Sequence, residues 1–273
     1  MTGVVEPGAP RGVVFVRTLH TMRRGLLGWM IGLAVLAASM LAMYPTIRDN
    51  DSMSQLVTSY PSTVRELFNL DDLTSGVGYL RAEVFSLVLP VMLIIAAVFW
   101  GSESIAGEEA SGTLDLLLSY PISRRQVFAE KAASVLVSIA FVTLALGAAL
   151  VPGTMIVKLD VGMGRLAAAL AAVFLLGVTF GALGLMLGAA TGRRGVARGA
   201  PIVAAVVSYL VSSLAGIVSW LRPLRFASPW YHALGTDPLR RGLLLGHLGV
   251  LALGALVLCV LGAELFERRD LAR

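Results

Sequence analysis

Six long apolar runs decide what this chain can fold into. They cover 25–44, 79–100, 130–151, 166–190, 197–219 and 243–263. A helix rises 1.5 Å per residue and bilayer hydrocarbon is about 30 Å thick, so about 20 apolar residues cross it as a helix. The chain is 57% hydrophobic and 14% charged, whereas an ordinary soluble domain carries about 25% charged residues. The expected fold is all-α and integral to the membrane, a single domain over 1–273 with six transmembrane helices. Arg23 and Arg24 precede the first run as they would a signal peptide. The core from Gly25 to Met43 is longer than the about 7–15 residues of a signal sequence, however, and no small-x-small site precedes Tyr44-Pro45. An uncleaved signal anchor is the better reading.

An even number of spans puts both termini on one side. If that side is the cytoplasm, it receives Arg11, Arg17, Arg23, Arg24, Arg124, Arg125, Lys131, Arg193, Arg194, Arg198, Arg268, Arg269 and Arg273, 13 of the 22 bases. The bias follows the positive-inside rule, although Arg222, Arg225, Arg240 and Arg241 fall on the other side. The opposite loop, 45–78, is acidic through Asp49, Asp51, Glu66, Asp71 and Asp72. Both termini are therefore expected in the cytoplasm of a multi-pass protein of the inner or plasma membrane. The net charge of +5 then reflects arginines set against anionic lipid, with no nucleic acid as partner.

Before the first run, Phe15, Leu19, Met22 and Leu26 recur at helical spacing, with Arg17, Thr21 and Arg24 on the opposite face. This is the pattern of an amphipathic interfacial helix; a basic flank that only sets topology is the alternative. The segment 220–242 holds three prolines and four aromatics, too broken for a regular helix. It reads as a re-entrant lid or an interfacial loop, with Trp220, Trp230 and Tyr231 suited to headgroup level. Gly177, Gly181, Gly184 and Gly188 make small-xxx-small steps, as do Gly28/Gly32 and Gly242/Gly246. Glu267-Arg268-Arg269-Asp270 reads as a solvated helix end.

Several chemistries find no support. The lysines Lys131 and Lys158 follow Glu130 and Val157, so neither completes a phosphate-cradling Gly-Lys-Ser/Thr loop. His20, His232 and His247 lie far apart in sequence without metal-ligand spacing, and Cys259 is a lone cysteine inside a span. Span serines such as Ser134, Ser138 and Ser208 suit helix–helix hydrogen bonding better than hydrolysis. Glu83, Glu103 and Glu264 fall near span ends rather than at mid-depth, which disfavours ion coupling within the chain.

The stretch 103–131, ESIAGEEASGTLDLLLSYPISRRQVFAEK, packs five acids and three bases between two apolar runs. Ser123 followed by Gln126 is a capping box that starts a helix. The stretch reads as a short helix, a break at Pro121 and the foot of the next helix.

From Glu108 through Gly112-Thr113-Leu114-Asp115-Leu116-Leu117-Leu118-Ser119 to Pro121-Ile122-Ser123-Arg124, this stretch resembles the cytoplasmic hook of ABC transporter permeases of the type-2 exporter class. The six-span layout, the lead-in helix and an external element with Pro229, Trp230, Tyr231 and Pro238 resemble the same family. The resemblance implies a permease that pairs with a second permease chain, identical or related. Each chain offers its hook as a coupling helix to an ATP-binding subunit, two copies per complex. ATP and magnesium would be bound by that subunit, with no cofactor in this chain and no catalytic residue of its own. The implied contact residues are Glu108, Glu109, Gly112, Thr113, Leu114, Asp115, Leu117, Leu118, Pro121, Ser123, Arg124 and Arg125, with Leu114, Leu117 and Leu118 as an apolar edge and the charges as its rim. The lead-in residues are Phe15, Arg17, Leu19, Met22 and Arg24. A hydrophobic or amphipathic small molecule, drug-like, antibiotic-like or lipid-like, is the expected cargo; no substrate residue is assigned. The alternatives are a solvated loop whose leucines pack under their own spans, a membrane-embedded enzyme, or a non-transporting sensor or assembly factor.

Overall fold

The computed structural model describes residues 12–48, 59–61, 64–65 and 75–269. The acids expected in the long loop, Asp49, Asp51, Glu66, Asp71 and Asp72, lie outside the described residues, as do Arg11, Asp270 and Arg273. Seven helices carry the fold: α1 (Val13–Arg48), α2 (Gly76–Ala110), α3 (Thr113–Leu118), α4 (Arg124–Ile156), α5 (Met163–Thr191), α6 (Arg194–Leu214) and α7 (Leu245–Arg268). All except α3 are long and apolar enough to cross a membrane. Among the described residues the protein is all-α, a multi-pass membrane protein with six candidate spans.

Two helices begin on a local serine cap. The Ser75 side chain accepts from the Gly78 amide at the start of α2. Ser123 does the same for Gln126 at the start of α4, 3.2 Å away. Only half of the expected capping box forms there, because the Gln126 amide turns instead to Glu130. Within α2, Leu87 takes φ −143° and ψ −55° three residues before Pro90. Proline lacks an amide hydrogen and its ring crowds the preceding turn, which accounts for a break at this place.

The first helix differs from the expected boundary. It runs unbroken for 36 residues, about 54 Å, so the amphipathic lead-in is the continuation of the first span. The reason lies in another helix. Glu130 of α4 accepts from the amides of Gly12 and Phe15 at 2.9 and 3.0 Å. A carboxylate there satisfies orphan donors and meets the positive end of the helix dipole. Met22 and Leu26 turn onto the protein core, while Arg17 and Arg24 face outward.

The centre of the bundle is α5, which packs against α2, α4, α6 and α7. In their most apolar windows α2 and α5 are 61% buried, against 17% for α1 and α7 and 22% for α6. The last three therefore form the periphery that meets lipid or another chain. The glycine stripe explains why α2 and α5 approach so closely. A Cβ on Gly101 of α2 would stand 2.2 Å from the Gly181 carbonyl oxygen, and one on Gly184 would stand 3.3 Å from the carbonyls of Val98 and Ala197. By contrast, Gly28, Gly32, Gly242 and Gly246 have nothing within 4 Å of such a Cβ.

Candidate functional site: the hook and its anchorage

The hook begins where α2 ends. Gly112 takes φ +71°, a left-handed conformation that glycine reaches without Cβ strain. Around it, the Ser111 and Thr113 hydroxyls both donate to the Glu108 carbonyl, at 3.0 and 3.1 Å. The carbonyls at the end of α2 are thereby satisfied, and the chain reverses into α3. The Ser119 hydroxyl closes α3 on the Leu116 carbonyl, Pro121 follows, and Ser123 starts α4.

The expected leucine edge divides. Leu114 and Leu117 are 0% and 6% exposed and sit in a core with Val14, Ile105, Val127, Phe128, Leu185, Ala189 and Phe266. Leu118 packs against that core from its edge. These leucines pack under their own span ends, the alternative kept open from the sequence. The leucine that faces outward is Leu116, 66% exposed, with Tyr120 beside it at 62%. Asp115, Ser119 and Pro121 complete this outer face. A period of 3.6 residues already separates Leu116 from Leu114 and Leu117, so the signal was present in the sequence.

Of the charges expected to form a rim, only Asp115 stays on the outer face, and Glu108, Glu109, Arg124 and Arg125 turn inward or sideways. Lys131, with no exposed side-chain surface, has its Nζ 2.7 Å from Glu108 Oε1. Glu109 pairs with Arg269 at the end of α7, and Arg269 also reaches the Gly188 carbonyl at 3.3 Å. Arg124 donates to the carbonyls of Phe266 and Arg269. Arg125 bridges Glu264 at 2.9 Å and Glu267 at 2.5 Å. Nearby, Glu103 binds Arg194 at 3.1 Å and also Arg198 at the foot of α6. The end of α7 is therefore not wholly solvated: Glu267 ties it to the foot of α4 and Arg269 to the end of α2, while Arg268 stays exposed. Gly12, the hook and Arg269 all lie at one end of the bundle.

At the other end, the segment after α6 forms two single 3₁₀ turns, Ser219–Leu221 and Leu224–Ala227, a π-turn at Tyr231–Gly235 and one helical turn at Pro238–Arg241. Of the expected external element, Trp230 and Pro238 are buried while Pro229 and Tyr231 are partly covered. Trp230 does not rest at a headgroup surface. It packs with Ile94, Val98, Phe180 and Leu251, and its amide donates to Ser208 at 3.1 Å. Trp220 stays exposed. His232 and His247, 15 positions apart, meet with their Nδ1 atoms 2.9 Å from each other.

The span serines do two jobs. Ser138 donates to its own helix, to the Ser134 carbonyl. Ser134 reaches the Phe15 carbonyl of α1 at 3.3 Å, and Ser208 meets Ser228 at 2.8 Å.

The chain matches the family described as ABC-2 family transporter protein over residues 14–271. No curated protein matches it.

Proposed function

The chain belongs to the ABC-2 family of transporter proteins, and on that premise we propose that it is the membrane-spanning subunit of an ATP-driven exporter. The family makes it a transport permease with an ABC ATP-binding partner. The motor, with its ATP and magnesium, belongs to that separate subunit, present in two copies. A second permease chain, identical or related, completes the complex. Both termini and the hook face the cytoplasm. The cargo is a hydrophobic or amphipathic small molecule, drug-like, antibiotic-like or lipid-like, that leaves along the interface between the two permeases.

One observation carries the reading. The hook presents a small apolar and polar face, Asp115, Leu116, Ser119 and Tyr120, while its base is fixed to α6 and α7 by ion pairs and to the start of α1 by the Glu130 carboxylate. The exposed tyrosine suits a pocket on a partner, since aromatic anchors carry much of docking energy, and the exposed leucine beside it adds apolar area that such a pocket would remove from water. A push on this face is delivered to helices at both ends of the chain together. Of the residues first expected in the contact, Asp115, Leu118, Pro121 and Ser123 remain partner-facing candidates, with Gly112 and Thr113 shaping the turn. Leu114, Leu117, Glu108, Glu109, Arg124 and Arg125 serve the hook's own rigidity. Phe15, Arg17, Leu19, Met22 and Arg24 form the lever arm of α1 that carries the motion.

The test is Leu116→Asp in the assembled transporter. Folding and membrane insertion should be retained, while cargo-stimulated ATP hydrolysis and export fall by about tenfold or more, as a lost anchor predicts. Normal coupled export by this variant would remove the hook from the motor interface.

A further inference from the structure

At the end of the bundle opposite the hook, a cavity of about 240 Å³ opens between the start of α2, the end of α6 and the folded-back segment. Its polar wall holds Arg81, Tyr209, Ser212, Ser213, Arg225 and Asp237, with Trp230 and Leu234 on the apolar side. Three polar atoms of this wall are buried without a hydrogen-bond partner: the Tyr209 hydroxyl, Arg225 Nε and Asp237 Oδ1. Buried polar groups in folded proteins are nearly always paired, so three orphans around one cavity point to an occupant.

The geometry points to a binding site for the headgroup of an amphiphile that carries a phosphate together with a hydroxyl or amine donor. Arg225 stacks on the rings of Phe226 and Tyr231, 5.0 and 5.1 Å from their centroids, and no carboxylate among the described residues pairs with it. A guanidinium held this way offers a fixed fork to a phosphate. Asp237, in contrast, spends one oxygen on Arg81 at 3.3 Å and leaves Oδ1 for a donor. The Tyr209 hydroxyl can serve either group. The wall thus bears two arginines against one aspartate, which favours an anionic or zwitterionic guest over a cation.

The cavity is smaller than the about 300–1,000 Å³ that encloses a whole drug-sized ligand. A headgroup fits and its tail must lie outside. Beside the cavity, Val206, Leu210 and Ile217 present exposed apolar surface on and just past α6, where a hydrocarbon tail would rest. The site needs no ATPase and stands independently of the transport reading.

The experiment is a native mass spectrometry titration of the full chain in detergent with dihexanoyl phosphatidylglycerol, phosphatidylethanolamine and phosphatidylcholine. The first two carry a donor for Asp237 and should bind about tenfold tighter than the third, as one lost hydrogen bond to a charged group implies. Arg225→Gln should weaken all three by about tenfold or more. Tyr209→Phe should weaken binding by about three- to tenfold while the unfolding temperature stays the same or rises, because that hydroxyl has no partner within the chain. Weak competition by glycerol 1-phosphate supports a lipid as the source of the headgroup; competition equal to the lipid's supports the same recognition with a soluble phosphate ester. Equal affinity for the three lipids, or Tyr209→Phe binding like the unaltered chain, would overturn the site and leave a cavity filled with water only.

Discussion

Arg269, just past the end of α7, closes an ion pair with Glu109 in the last turn of α2, and both side chains are largely covered, 16% and 19% exposed. The Glu109 carboxylate lies over Gly192, which ends α5 at φ +65° and whose added Cβ would stand 2.6 Å from it. Three helices meet at this one contact. Breaking either partner leaves the other charge largely covered and without its counter-charge, a cost of about 1–3 kcal/mol. Glu109→Gln and Arg269→Gln should each lower stability by that amount in a dodecyl sulfate unfolding titration. The double variant should cost clearly less than the sum of the two, since residues of one pair are not additive. A strictly additive result would mean that the pair does not hold α7 to the hook.

Lys131 and Glu108 form a pair of unequal partners. The Lys131 side chain has no exposed surface, while Glu108 retains 30%. Glu108→Gln therefore strands an ammonium that water cannot reach, at about 3–5 kcal/mol. Lys131→Met leaves a carboxylate that water can still solvate and replaces the ammonium stem with an apolar one of similar length. That variant should cost about 1 kcal/mol or less. Unfolding midpoints of the two variants in one detergent check the order. The reverse order would place the free charge on the wrong partner.

The six spans were legible because length and hydropathy alone decide whether a helix can cross hydrocarbon. The hook was legible as a turn, for Gly112, Pro121 and Ser123 act through local backbone geometry. Which way its leucines face was half legible: the spacing of Leu114 and Leu117 marks one side of a helix, and Leu116 lies on the other. Nothing local announces that Glu109 meets Arg269 or that Glu130 caps α1, because those partners are separated by 160 and about 115–118 positions. Such pairings belong to the packing of the bundle. The same holds for Trp230: an aromatic beside prolines suits a membrane surface, and only the fold turns it into the core.

The glycines divide by what lies opposite them, and the division can be measured. Gly101 faces the Gly181 carbonyl oxygen so closely that an added Cβ would stand 2.2 Å away, against backbone that cannot swing aside. Gly101→Ala must push α2 off α5, where overpacking costs about 1–3 kcal/mol and more when the obstacle is main chain. Gly28 lies on the outer side of α1 with nothing within 4 Å, and alanine is the better helix former by about 1 kcal/mol. In the isolated chain, Gly28→Ala should leave the unfolding temperature unchanged or slightly raised, while Gly101→Ala lowers it. Equal losses in the two variants would mean that α1 is packed on its outer side as tightly as α2 is on α5, and would remove α1 from the periphery of the bundle.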